Sequence, residues 1–441
     1  MARAATFHFG VRGEEQFLVP SIGQVLQQAI EAHKRGRLQE AERLYRSILK
    51  AVPRHAAANY NLGVLAVGVG KPEAALPFLE IAVEAEPQQA QFSLGYADAL
   101  IQANQVDSAR QLLERARQSG VASTAIDELL TILQTERRPD DNSGRLLTAA
   151  EVRYQQGVVA RRRSPYLDYP AHVHLETLAL CNAACSFCPY PTLARKGEKM
   201  SDGLIEKIIS DLEDIPRDVR FQISPFKVNE PFLDVRLFDL LDRLKARLPN
   251  ADLTLTTNAS PITERTLDRL AKCTGLTHLW ISFNDHRQDA YERVMALPYD
   301  RTMERLRLIH RKKAEGSFTT HVVLSRVGDG TSIDGAFREW VNTNFPLFAS
   351  YVFARGEWLG QIATAQSSLP PNIGCTRWFD LSITATGVVA HCCMDGKAEH
   401  PIGDASSSHL LEIYNRPAYR KLREETLSRL DVDPCRRCNF L

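Results

Sequence analysis

The first third of the chain repeats itself every 34 residues: Gly36, Gly70 and Asn104 fall in register, as do Ala41, Ala75 and Ala109, and Pro53 with Pro87. A unit this short cannot bury its own apolar face, so it stacks on its neighbours as a curved array of helical pairs. The alanines mark where two antiparallel helices approach closely, and the prolines end the second helix of each pair. The third repeat lacks the turn glycine and the closing proline, and is read as the end of the stack.

The period and these positions resemble the tetratricopeptide repeat, assigned here to residues 20–133. The resemblance implies an α-helical solenoid whose concave face binds a peptide or protein substrate or partner; a folding or dimerisation appendage is the alternative. Residues 134–166 turn polar, with Pro139, Gly144 and the run Arg161, Arg162 and Arg163, and read as a linker containing a short helix. The arginine run is read as a solvated face.

From about residue 171 the pattern becomes short β-branched runs alternating with amphipathic ones, which predicts βα units around a parallel sheet. Six strands are expected, around HVHLETL, FQIS, LTLTTN, HLWISF, THVVLS and YVFA. They suggest a partial (β/α)6 barrel with its site at the carboxyl ends of the strands. The first strand runs into LCNAACSFCPYP, a loop carrying Cys181, Cys185 and Cys188. Three thiolates so placed hold three corners of a four-iron four-sulfur cluster and leave one iron open to a small molecule. A structural zinc site, completed by His172 or His174, is the competing reading. Those histidines alternate with Val173 and Leu175 and read more simply as strand residues.

The triplet spacing, Phe187 before its last cysteine and its place after the first strand together resemble the radical S-adenosylmethionine (SAM) superfamily. The resemblance implies that SAM chelates the open iron and is reductively cleaved to a 5′-deoxyadenosyl radical. The segment VNEPFLD resembles the family's Gly-Gly-Glu-Pro, which receives the amino group of SAM; Val228 and Asn229 replace the glycines, while Glu230 and Pro231 match. TTNAS resembles the Thr-Asn-Gly turn, ISFND places Ser282 and Asn284 where ribose or carboxylate would lie, and Arg326 is a candidate partner for the carboxylate. Each of these has an ordinary reading as a turn, cap or surface residue.

The last seventy or so residues carry Cys375, Gly387, Cys392, Cys393, Cys435 and Cys438. The order Cys375, Gly387, Cys392 and then Cys435-x2-Cys438 resembles the shortened SPASM domain called Twitch, a small α+β module with one auxiliary four-iron cluster. Adjacent side chains in an extended segment face opposite ways, so only one of Cys392 and Cys393 is expected to ligate. The glycine spacing selects Cys392, with Cys393 as the substitute, and zinc remains the alternative here too. The ninth cysteine, Cys273, is read as a buried small residue in a helix.

These readings divide the chain into repeats at 20–133, a linker at 134–166, a radical SAM core at 167–360 and an auxiliary domain at 361–441. A formal charge of +1 offers no global field for nucleic acid, and no apolar run reaches membrane-spanning length. A cytoplasmic protein is expected, reduced by a reductase or flavodoxin-type donor. The expected activity is hydrogen abstraction from a peptide, protein or small molecule, with the auxiliary cluster accepting an electron or ligating substrate. This makes it an oxidoreductase or a peptide or natural-product maturase. A non-catalytic repeat adaptor with structural or redox-sensing clusters, and a methyl-transferring radical SAM enzyme, are the alternatives. No catalytic side chain is singled out.

Overall fold

The structure is a computed structural model describing residues 21–133, 148–353, 358–362 and 370–440. The chain forms two compact units, Met1–Val152 and Arg153–Leu441. Part of the expected linker, residues 134–147, lies outside the described residues.

In the first unit helices pair as Ile22–Lys34 with Leu38–Ala51, Ala56–Gly68 with Pro72–Ala85, and Ala90–Gln102 with Val106–Gln118. Ala41, Ala75 and Ala109 are fully buried, as their 34-residue register requires. The turn is kept in all three pairs, because Gly36, Gly70 and Asn104 each take a left-handed backbone, and asparagine tolerates it better than other side-chain-bearing residues. The third pair does not end the array: helix Thr124–Leu133 follows, with Ile126, Leu129 and Leu130 buried.

The second unit is built on a nine-stranded sheet with strand order 6-5-4-3-2-1-7-8-9. The strands are β1 (His172–Leu175), β2 (Phe221–Ser224), β3 (Ala251–Thr257), β4 (Leu276–Ser282), β5 (His321–Val327), β6 (Ala349–Phe353), β7 (Asp380–Ile383), β8 (Val388–Ala390) and β9 (Pro401–Asp404). The first six are parallel throughout and are the six read from the sequence. Helices cover their apolar face, started by local caps: Ser201 before Asp202–Leu212, Thr263 before Glu264–Leu270 and Thr331 before Ser332–Asn344. Cys273 lies beyond the end of the helix Glu264–Leu270 and is only partly buried, so its expected place inside a helix is corrected.

β7 continues the same sheet, pairing in parallel with β1 and antiparallel with β8. The β7–β8 turn needs Gly387, whose φ of 90° lies where a side chain is strained. The auxiliary module is therefore an extension of the barrel sheet itself.

Candidate functional site: two cysteine centres around a barrel cavity

Inward-facing residues recur at every second position along the first six strands: His172 and His174, Gln222 and Ser224, Thr254 and Thr256, His278, Trp280 and Ser282, Ser325, then Tyr351 and Phe353. This is the alternation expected of a curled sheet. They line a cavity of about 390 Å³, together with Phe226, Lys227, Trp358, Arg377, Cys393, Met394 and Phe440. Not one of these lining residues is acidic.

The loop after β1 carries Cys181, Cys185 and Cys188, all partly buried. It is tied to the loops after the next strands. Asn182 donates to Ser260 Oγ at 2.7 Å and accepts from Asn258 at 2.9 Å. The Glu230 carboxylate accepts from Thr257 Oγ1 and from the Asn258 backbone N–H, both at 2.8 Å, and the Glu230 N–H donates to the Leu180 carbonyl. On the other side the Ala184 and Ser186 N–H groups donate to the carbonyls of Met295 and Val294. Two strand-end loops and one helix end thus fix the cysteine loop. Burial pushes the Cys181 thiol up to about 12, a cost that iron ligation removes by taking the thiolate.

The second group converges on one small cavity lined by Cys375, Cys392, Cys435 and Cys438, with Trp378, Met394 and Phe440 around them. None of the four cysteines is more than 8% exposed. Trp378 Nε1 and His391 Nε2 approach Cys435 Sγ at 3.5 and 3.1 Å, and Tyr154 Oη reaches Cys375 Sγ at 3.5 Å. Arg429 is fully buried against this cavity and its Nε has no partner, a donor suited to an anionic occupant. Burial raises Cys435 to about 12 and Cys438 to about 11.

Both groups suit clusters better than single ions. Zinc–sulfur bonds of about 2.3 Å set tetrahedral thiolates about 3.8 Å apart. Among the described residues, the close-set group of possible ligands to a single ion is His172, His174 and Asp380, and neither set of cysteines forms one. A cluster spreads its ligands over separate irons, which wider spacing allows.

The five residues expected at SAM fall differently. Ser282 lines the barrel cavity. Asn284, in a left-handed conformation, donates to Ser282 Oγ at 2.8 Å and accepts from the Val327 N–H at 2.9 Å. Asn229 accepts from the Lys227 N–H, while its buried Nδ2 has no partner. Glu230 is buried under the cysteine loop, and burial raises its carboxyl to about 7 despite the bonds it accepts. Arg326 is 5% exposed and donates to Asp285, Asp329, Asp334 and the Asn284 carbonyl. Its donors are engaged within the protein, so a SAM carboxylate would compete with these partners.

Three further groups stand outside the expected SAM contacts. His172 and His174 face the cavity with ring centroids 3.9 Å apart, and Asp380 on β7 lies 3.6 Å from His174 Nε2. Their signal was two histidines at alternate positions of an otherwise apolar strand. Lys227 is buried and donates to Ser382 Oγ and to the carbonyls of Cys392 and Asp395, joining the end of β2 to the auxiliary module. Glu176, fully buried, grips Arg195 at 2.6 and 3.0 Å and accepts the Val228 and Ala385 N–H groups.

Compared with known families, residues 175–331 match the Radical SAM superfamily and residues 375–439 match the iron-sulfur cluster-binding domain SPASM. Residues 26–68 and 66–133 match tetratricopeptide repeats. In the order read from the sequence, the chain carries tetratricopeptide repeats, a radical SAM domain and a SPASM domain. Its radical SAM domain carries the first cluster and SAM, its SPASM domain carries a further cluster, and repeats precede both. No curated protein matches the sequence. Among solved structures, BtrN in complex with AdoMet and 2-DOIA is 18% identical at TM-score 0.41, covering 61% of this chain and 92% of BtrN. Streptococcus suis SuiB bound to precursor peptide SuiA is 15% identical at 0.45, covering 78% and 86%. The protein anSMEcpe with bound AdoMet is 13% identical at 0.44, covering 61% and 85%.

Proposed function

We propose that this radical SAM enzyme abstracts a hydrogen atom from a C–H bond of a peptide, protein or small molecule held in the barrel cavity. The observation that carries this reading is the three-cysteine loop after β1 of the barrel together with a four-cysteine cavity whose lining shares Arg377, Met394 and Phe440 with the barrel cavity. When bound, the first cluster supplies the electron that cleaves SAM to a 5′-deoxyadenosyl radical.

The chain's own residues do the rest. Cys181, Cys185 and Cys188 are the proposed ligands of the first cluster, which leaves one iron for SAM. Asn229, whose Nδ2 is unpartnered, and Glu230 stand ready for the polar end of SAM, and Ser282 for its ribose. Aromatic walls at Phe226, Trp280 and Phe353 exclude water from the radical. Cys375, Cys392, Cys435 and Cys438 are the proposed ligands of the second cluster, a one-electron partner to the cavity. An outcome of oxidation or crosslinking, and hence an oxidoreductase or maturase class, is part of this proposal. So are a reductase or flavodoxin-type donor, a cytoplasmic setting and the division into repeats at 20–133, core at 167–360 and auxiliary domain at 361–441. Among the described residues no helix is long and apolar enough to cross a membrane. The repeats are proposed to bring a peptide or protein to the enzyme.

The test is anaerobic incubation of the iron-loaded full chain with dithionite and SAM. Formation of 5′-deoxyadenosine, on protein holding about eight irons, is expected. Iron without any 5′-deoxyadenosine would replace this reading with the repeat adaptor.

A further inference from the structure

Cys392 and Cys393 are neighbours in the chain but open into different spaces. Cys392 lines the four-cysteine cavity, whereas Cys393 lines the barrel cavity. This leaves a thiol free of cluster duty facing the place where a radical would be held. A second group points into the same space: His174 is 8% exposed and lines the cavity, and its Nε2 stands 3.6 Å from the Asp380 carboxylate, longer than an ordinary hydrogen bond. Cys393 and Cys188 also pack against one shared apolar cluster that includes Val228, Trp358 and Met394. The free thiol therefore lies towards the cysteine loop of the first centre.

A metal ion is the rival occupant, since His172, His174 and Asp380 offer donor atoms within 4.8 Å of one another. Arg377, however, donates to the Asp380 carboxylate at 3.1 Å, so a fixed cation already neutralises the one charged ligand. The His172 Nε2 is likewise engaged, at 2.7 Å from Ser224 Oγ.

We propose that Cys393 is a hydrogen-atom donor to carbon radicals in the barrel cavity, with His174 returning the proton. The inference rests on the radical function proposed above. An S–H bond is weaker than an alkyl C–H bond, so the transfer runs downhill. In the step, the Cys393 S–H bond breaks, a C–H bond forms at the radical carbon, and a thiyl radical remains on Cys393. One electron from a low-potential donor such as dithionite and one proton from His174 restore the thiol. Each cycle then consumes two electrons, one for SAM cleavage and one for thiol repair. A substrate treated this way regains a hydrogen at the carbon that lost one, so its configuration can invert without net oxidation.

The experiment uses the iron-loaded full chain in D2O with dithionite, and SAM as the only organic substrate. The radical carbon is then the adenosyl 5′ carbon, and the exchangeable thiol carries deuterium. Wild-type protein is expected to yield mainly singly deuterated 5′-deoxyadenosine. Cys393→Ser is expected to keep the wild-type iron content and to lower the deuterated fraction at least tenfold. Unlabelled product from the wild type overturns the proposal without any variant. Label that persists in Cys393→Ser also overturns it. Loss of about half the iron in Cys393→Ser would make Cys393 a cluster ligand and overturn it as well. Zinc bound to the loaded protein and lost in His174→Ala would give the histidines to a metal instead and overturn the proton-return role. Failure to form any 5′-deoxyadenosine removes the underlying function, an outcome distinct from unlabelled product.

Discussion

Trp358 donates its indole N–H to the carbonyl oxygen of Phe187 at 2.7 Å, latching the segment before the auxiliary module onto the first cysteine loop. Gly396 lies in the same contact. A Cβ there would stand 2.5 Å from Pro189 Cγ and 3.0 Å from the Trp358 ring. Gly396→Ala should therefore push the two cysteine centres apart, at a cost of about 1–3 kcal/mol for overpacking. The urea midpoint of the second unit reports it, and an unchanged midpoint would mean the contact is loose.

The opposite sign is expected at Ala296. It ends the helix Gln288–Met295 in a left-handed conformation while exposed to solvent, so its side chain is strained and buries nothing. Ala296→Gly should stabilise by about 1 kcal/mol, the difference between alanine and glycine in that region. The same urea titration checks it, and a fall in midpoint would show that Ala296 carries packing the backbone argument ignores.

Glu230 predicts a pH dependence of SAM binding. Burial raises its carboxyl to about 7, above the ordinary carboxylate range. The folded chain therefore holds a proton on Glu230 at pH 6 that the unfolded chain has released. The stability gained from that proton is lost as pH rises through about 7. An ammonium group bound beside Glu230 favours its charged form. Binding at pH 6 should release a proton, and affinity should rise between pH 6 and pH 8. Calorimetry of SAM binding in buffers of different ionisation enthalpy measures this directly; no proton release at pH 6 would remove Glu230 from the amino-group site.

Much of this was legible from residue patterns. The strands were visible because β-branched runs alternate with helical periods, and the cysteine loop because three thiols fall at a strand end. The third repeat's turn was misjudged because glycine was taken as the marker, whereas Asn104 adopts the same left-handed backbone. The glycine spacing chose Cys392 over Cys393; what needed three dimensions was where each opens, Cys392 to the four-cysteine cavity and Cys393 to the barrel cavity. The pairing of His174 with Asp380 stayed hidden for another reason. β7 joins β1 from two hundred residues away, so no local pattern places Asp380 beside the histidines. Arg326 followed the family pattern in sequence, yet three carboxylates around it are the partners the structure supplies.

The two cysteine centres are proposed to do different work, and one paired measurement separates them. Iron content, circular dichroism and 5′-deoxyadenosine formation are followed for Cys188→Ala and Cys438→Ala after identical anaerobic loading. Cys188→Ala should lose about four irons and all 5′-deoxyadenosine, because its loop provides the open iron. Folded Cys438→Ala should also lose about four irons and still cleave SAM. Cleavage persisting in Cys188→Ala, or abolished in a folded Cys438→Ala protein that retains the first cluster, would contradict the account.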